Sequence, residues 1–236
     1  MRILVIDSHK GAPDTDATSL HLRNSKIIAK HLGATLVTTF DGADALAAGK
    51  WDAFVFVHAS PYAAVDYAHI SRNPDARLFY VTNEYNLGEP RALWMAVKDG
   101  RRYEVIANHP PGASKVVKKY VDKWHTVNLN ALIYCHENPP KEDWFSTKQP
   151  CVYYGSFRKG RMEYFRKYFR DWLAVSTSAR NHAEFWAAGL SARWVGKLMW
   201  TGIENRLFGF ASSLYIEDEK THSHYNHLAN RFYEGL

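Results

Sequence analysis

Apolar runs of strand length alternate with segments of helical period along almost the whole chain. The first half reads as a strand ILVID, a helix TSLHLRNSKIIAKHLG closed by Gly33, and a strand ATLVTTF. DAFVFVH, a helix near residues 62–72, RLFYVTNE, VIANH, a basic helix from about 113 to 123 and VNLNALIY follow. These strands are apolar on both faces, as strands covered by helices on each side must be, so the pattern predicts parallel sheets in an α/β protein. HENPPKEDWFSTKQP, with three prolines and several charges, breaks the rhythm at residues 136–150 and predicts a linker. The rhythm then restarts with CVYYGS, a helix near 161–171, WLAVST, a helix near 179–189, ARWVGK, a short helix near 201–208, FASSLYIED and a final helix from about 222.

Two domains follow from this reading, residues 1–138 and 148–236. Open parallel sheets bind ligands outside the carboxyl ends of their strands, which directs attention to the loops after Asp7, Glu84, Gly155, Gly196 and Asp218. Composition adds little to the fold but narrows the function. With 236 residues, 46% of them apolar and 23% charged, an ordinary globular core is expected. No run approaches the roughly 20 apolar residues of a membrane span, and MRILVIDSHKG opens as a strand and not as a signal peptide, so a cytosolic protein with no membrane partner is predicted. Cys135 and Cys151 lack CxxC spacing and read as buried structural thiols in a reduced compartment. The net charge of +6 favours a polyanionic partner, and its cations concentrate in Arg91, Lys98, Arg101, Arg102, Lys115, Lys118, Lys119 and Lys123. A solvated helix face accounts for the same residues.

The clearest chemical signal is VYYGSFRKGR. A strand ends at Gly155, Ser156 follows in a loop, and Arg158, Lys159 and Arg161 crowd the start of the next helix. Cations at a helix N-terminus oppose its partial positive charge unless an anion is bound, so the segment reads as a phosphate site, with a surface turn of solvated cations as the alternative. Arg231 and Glu234, spaced i, i+3 on one helix face, suit a phosphate and a pair of ribose hydroxyls, or form an ordinary surface ion pair. Asp218 offers an acceptor for sugar hydroxyls or caps a turn. Glu84, at the end of an apolar strand, is placed either to act as a general base or to cap a loop. His9, Lys10 and Gly11 follow the first strand. The chain lacks GxGxxG after its first strand, GxxxxGK[ST], GxSxG and HExxH, which removes dehydrogenase, P-loop, hydrolase and zincin readings. His222, His224 and His227 do not share an i, i+4 face, and no metal site is assigned.

At YYGSFRKG the sequence resembles the DNA β-glucosyltransferases of T-even phages, and MRILVID, LFYVTNE, ALIY, WVGK, SLYIED and RFYEGL fall in matching order across essentially the whole chain. The resemblance implies a GT-B-like fold, two Rossmann-like parallel-sheet domains facing across a cleft, with the second domain shortened at its C-terminus. It implies an inverting transfer of a sugar, glucose in that family, from a UDP donor to 5-hydroxymethylcytosine or another 5-hydroxymethylpyrimidine in duplex DNA. UDP-glucose or another UDP-sugar is the donor, and a divalent ion, Mg or Mn, is permitted but not required. A monomer in the host cytoplasm is implied, with the target base flipped from the duplex.

Residue by residue, the resemblance makes Glu84 the catalytic base, in place of an aspartate. Gly155, Ser156, Arg158, Arg231 and Glu234 become donor contacts, Asp218 lies near the sugar, and Lys197 and Leu198 read uracil through the main chain. A further family arginine aligns with Met162, so Arg161 is the substitute, and His21 stands where the family has a glutamate. Acceptor DNA is assigned to Lys10, Arg91, Arg101, Arg102, Lys115, Lys118 and Lys119. A non-DNA acceptor, or a nucleotide-sugar or DNA-binding protein without turnover, is the alternative.

Overall fold

The computed structural model describes residues 1–10, 20–39, 41–57, 65–82, 88–113, 116, 118–129, 151–196 and 209–219. The chain divides into two compact units, Met1–Leu129 and Asn130–Leu236. The first contains β1 (Ile3–Lys10), α1 (Leu20–Leu32), β2 (Thr35–Thr39), α2 (Ala43–Ala47), β3 (Ala53–Val57) and α3 (Tyr67–Ser71). β4 (Arg77–Thr82), α4 (Arg91–Lys98), β5 (Tyr103–Ala107) and β6 (Val121–Thr126) complete it. Its strands pair in the order β2-β1-β3-β4-β5-β6, every pair parallel. This is a doubly wound sheet whose first strand is flanked by the second and third.

Burial explains the pairing. All five residues of β3 are buried, as a central strand covered on both faces requires. Phe54 and Phe56 join Leu4, Ile6, Leu78, Tyr80 and Val105 in one core with Leu93, Ala96 and Val97 of α4. Each of the valine, leucine, isoleucine and phenylalanine side chains among them contributes about 1.5–3 kcal/mol on burial. α1 packs on β1 and ends at Gly33, whose φ of 57° is left-handed, with the Ala34 amide returning 2.8 Å to the Ala29 carbonyl.

The predicted basic helix at 113–123 is not formed. The chain makes short 3-10 turns at Pro111–Ala113 and Lys118–Tyr120 and then enters β6, so the last strand of the sheet begins at Val121, ahead of the predicted VNLNALIY. A bulge hides this strand in the sequence. Tyr103 pairs with Val121 but Glu104 pairs with Lys123, which leaves Asp122 as the extra residue and turns Asp122 and Lys123 outward together. Charged side chains and a bulge on the outermost described strand are also what discourages pairing with another chain.

The amino-terminal pole of this sheet is locked by polar contacts to the main chain. The Asn73 amide donates to the carbonyls of Gly49 and His69 and accepts from the Trp51 amide at 2.8 Å. The Arg101 guanidinium donates to the carbonyls of Ile70, Asn73 and Ala76, the open end of α3 and the turn after it. Burial holds the Arg101 pKa below its ordinary value, though Asp75 opposes that shift.

The second unit contains β7 (Val152–Tyr154), α5 (Met162–Tyr168), β8 (Ala174–Ser176), α6 (Ala179–Ala187), β9 (Arg193–Trp194) and β10 (Ser213–Leu214). Its order is β10-β7-β8-β9, again all parallel. The core is aromatic: Tyr153, Phe165, Phe169 and Phe185 are buried, with ring centroids 5.0–6.0 Å apart. Cys151 is half-buried against this cluster, and Cys135 lies outside the described residues. So do the helices predicted near 201–208 and from 222. No helix among the described residues is long and apolar enough to cross a membrane.

Arg101→Met removes three charge-assisted hydrogen bonds to main-chain carbonyls and is expected to destabilise the first unit by about 2–3 kcal/mol in urea unfolding. Hydrogen bonds from His125 and Arg77 hold the Glu104 pKa below its ordinary value. A depressed carboxylate stabilises above its unfolded pKa and loses that contribution as pH falls through the acid range. Glu104→Gln is therefore expected to be less stable than wild type at pH 7, with the difference shrinking toward pH 3 in thermal unfolding.

Candidate functional site

In the second unit the chain runs from β7 to β8 and β9 on one side, then returns with β10 on the other. The strand order reverses between β7 and β10, the point at which open parallel sheets bind ligands in a crevice outside the carboxyl ends of their strands. The segments that meet it are Gly155–Arg158 after β7 and Tyr215–Asp218 after β10.

The loop after β7 is fixed by its flanks. The Gly155 amide donates 3.2 Å to the Ser176 carbonyl of β8, and the Tyr153 hydroxyl donates 3.2 Å to the Ser156 carbonyl. The Phe157 amide donates 3.1 Å to Asn181 Oδ1, while Asn181 Nδ2 donates 3.0 Å to the hydroxyl of Ser178, the N-cap of α6. The Phe157 ring meets Phe165 and Phe185 at the edge of the aromatic core. Gly155 and Ser156 are thereby held half-buried, with Arg158 and Lys159 exposed beside them. Neither cation has an ion-pair partner among the described residues, so both are open to an anion.

Arg161 points the other way. It is buried, and its Nη2 contacts Glu217 Oε1 closely and Asp218 Oδ2 at 3.3 Å, while Nη1 lies 3.4 Å from the Tyr153 hydroxyl. Glu217, which sequence reasoning passed over in favour of Asp218, is the deeper carboxylate, its side chain 1% exposed against 26%. The acidic pair closing LYIED was the available signal.

The ends of β8 and β9 complete the rim. Ser176 and Thr177 are buried, and the Thr177 amide donates 3.0 Å to the Gly196 carbonyl. Gly196 has a φ of 78°, a left-handed turn that favours glycine. Trp194 donates its indole N–H to the Thr177 carbonyl at 3.0 Å and stacks on His182 at 4.8 Å. Lys197, Leu198, Arg231 and Glu234 lie outside the described residues.

In the first unit the strand order turns between β1 and β3, beside the buried Asp7 near the end of β1. Asp7 accepts hydrogen bonds from the Ser25 hydroxyl and from the His9 amide, the latter at 2.8 Å. Glu84 lies outside the described residues, just beyond the carboxyl end of β4 at Thr82. Gly88 and Glu89, ahead of α4, are tied down: the Tyr80 hydroxyl donates to the Gly88 carbonyl at 3.1 Å and the Tyr103 hydroxyl to Glu89 at 2.5 Å. Burial and Glu89 push the Tyr103 phenol far above its ordinary pKa, so it remains a donor.

The predicted acceptor cations divide between two poles. Lys10 closes β1 and Arg91 opens α4, at the carboxyl pole with the β4 exit. Lys98, Arg101, Arg102, Lys118 and Lys119 precede β5 or β6 and sit at the amino pole. There Arg101 is committed to main-chain carbonyls, and Arg102 pairs with Asp122 at 2.5 Å. Lys115 and Gly11 lie outside the described residues, as does the His21 side chain. The cations that the sequence groups between residues 91 and 123 are therefore divided between the two poles of the sheet. Among the described residues no three His, Cys, Asp or Glu side chains converge as a metal site, and His222, His224 and His227 fall outside them.

Asn181→Ala is expected to release the Phe157 amide. Its hydrogen exchange should accelerate about tenfold, the equivalent of one hydrogen bond of about 1.4 kcal/mol, while the Val152 and Val175 amides in the sheet stay protected.

No protein-family model matches the sequence, and no curated protein matches it. Two solved structures share its fold. T4 phage BGT in complex with UDP and Mn2+ is 14% identical, with a TM-score of 0.59 over 100% of this chain and 78% of that one. An aspartate-to-alanine mutant of T4 phage BGT in complex with UDP-glucose is 15% identical, with a TM-score of 0.54 over 93% of this chain and 74% of that one. The likeness at these identities is one of architecture, and it gives the chain an α/β fold of the GT-B type with parallel sheets.

Proposed function

We propose that the chain is a UDP-sugar glycosyltransferase whose donor occupies the β7–β10 crevice and whose acceptor is the hydroxyl of a 5-hydroxymethylpyrimidine in duplex DNA. The observation that carries the reading is the pre-shaped Gly155–Arg158 loop at a point of strand-order reversal, with Gly155 and Ser156 half-buried, Arg158 and Lys159 exposed, and Asp218 against the turn that follows. A diphosphate suits the loop and its cations, and an acceptor-only carboxylate suits sugar hydroxyls. The shared architecture with UDP-bound and UDP-glucose-bound T4 phage BGT supports the same assignment.

In the proposed reaction Glu84 takes the proton of the acceptor hydroxyl, whose oxygen forms a bond to the anomeric carbon. The bond from that carbon to the diphosphate oxygen breaks on the opposite face, its electron pair leaves with UDP, and the configuration inverts. Arg158, Lys159 and the main-chain amides after Gly155 lower the energy of the charge gathering on the diphosphate, a preorganised electrostatic role. Arg231 and Glu234 are proposed to hold the diphosphate and ribose, and Lys197 and Leu198 the uracil. A Mg or Mn ion accompanying the donor would take most of its ligands from phosphate oxygens and water. Glu217 and Asp218 already share Arg161.

Placement of Lys98, Arg102, Lys118 and Lys119 at the amino pole favours a second reading, in which the acceptor is smaller than duplex DNA. Binding through several phosphates falls steeply with salt, so a salt titration separates the two. The primary test is transfer from radiolabelled UDP-glucose to duplex DNA with and without 5-hydroxymethylpyrimidines. Label is expected on the modified DNA alone, reduced about 10²–10⁴-fold by Glu84→Gln and about 10²–10³-fold by Arg158→Ala. Absence of label on every DNA, with UDP-glucose bound, contradicts the acceptor and leaves the donor site.

A further inference from the structure

The cations around the β7 loop do not share one task. Lys159 and Arg158 are exposed beside the loop, whereas Arg161 is 5% exposed and its guanidinium meets the carboxylates at the end of β10. Its Nη2 bridges Glu217 and Asp218, its Nη1 reaches the Tyr153 hydroxyl, and that hydroxyl in turn holds the Ser156 carbonyl. Its Nε makes no hydrogen bond among the described residues, so the guanidinium acts entirely through its two terminal nitrogens. One guanidinium thus joins the two segments that meet at the crevice.

We propose that Arg161 is a positioning residue, which aims the Asp218 carboxylate at the sugar of a bound UDP-sugar and does not bind the diphosphate. This rests on reading the β7–β10 crevice as a UDP-sugar site. Three features carry it. Glu217 takes the closer contact and is the more deeply buried, so it serves as the counter-charge, and pulling Arg161 toward a phosphate would break a buried ion pair. Asp218 is at the longer distance and one-quarter exposed, so it is the carboxylate of the two that a ligand can reach. A carboxylate accepts from hydroxyls and repels phosphate oxygens, so the arrangement favours the hexose half of the ligand over its diphosphate half. The positions of Ser156 and Asp218 are coupled through Tyr153 and Arg161, which fixes the spacing between the phosphate-facing loop and the hydroxyl-facing carboxylate.

The test measures UDP and UDP-glucose binding by calorimetry to the full chain. The principal variant, Arg161→Met with Glu217→Met, removes both members of the buried pair, a replacement that buried ion pairs often tolerate, and takes the Arg161 contact only from the one-quarter exposed Asp218. Arg161→Lys, which keeps the charge but not the span between two carboxylates, is the second variant should the double variant not fold. Both are expected to bind UDP within about threefold of wild type while the UDP-glucose to UDP affinity ratio falls about tenfold, as it should for Asp218→Asn. KM for UDP-glucose should rise in parallel. A merely structural role would leave that ratio unchanged, and such a result overturns the proposal. Loss of UDP and UDP-glucose affinity together, the pattern expected of Arg158→Ala, would instead make Arg161 a diphosphate ligand and overturn it as well. If wild type binds neither nucleotide, the reading of the crevice fails first and the proposal with it.

Discussion

Every strand pair in both described sheets is parallel, and that constraint decides where chemistry can sit. A parallel strand must be followed by a crossover, so segments that leave strands gather at one pole of the sheet and segments that enter strands gather at the other. The two poles of the first unit are built differently in consequence. Its amino pole is held by Asn73 and Arg101, which satisfy main-chain groups at the end of α3 and around it. Its carboxyl pole carries the buried Asp7 and the tethered Gly88 and Glu89 ahead of α4.

In the second unit the same constraint brings two short segments, far apart in sequence, to one crevice. Short strands alone would hold them loosely, since β10 pairs with β7 through only Ser213 and Leu214. Side chains make up the difference: Asn181 and Ser178 brace the loop after β7 from one side, and Arg161 ties the end of β10 to it from the other. The aromatic cluster around Tyr153 supplies a firm floor.

Much of this was legible in the sequence because burial on two faces leaves a plain mark. β1, β3, β4, β7 and β8 are nearly continuous apolar runs, and each was located from that property. β6 was not, because it lies at the sheet edge with a bulge at Asp122, and its mixture of valine, lysine and tryptophan imitates a basic helix. The phosphate-type loop was legible through Gly155 and its crowded cations, but the division of labour among those cations was not. Arg158 and Arg161 differ in exposure because the 3-10 turn Lys159–Arg161 rotates the latter inward, a difference of backbone path that residue types do not encode. For the same reason Arg101 looked like a member of a basic surface and is instead the cap of three carbonyls.

The proposed seat of a nucleotide diphosphate is the β7–β10 crevice. Amide chemical shifts followed by NMR during a UDP titration address that most directly. The prediction is that Gly155, Ser156, Phe157, Arg158 and Asp218 shift together along one binding curve, while Trp186 and Leu190 at the far end of α6 do not. Saturable UDP binding with no perturbation in the Gly155–Arg158 loop would place the nucleotide elsewhere and contradict the account.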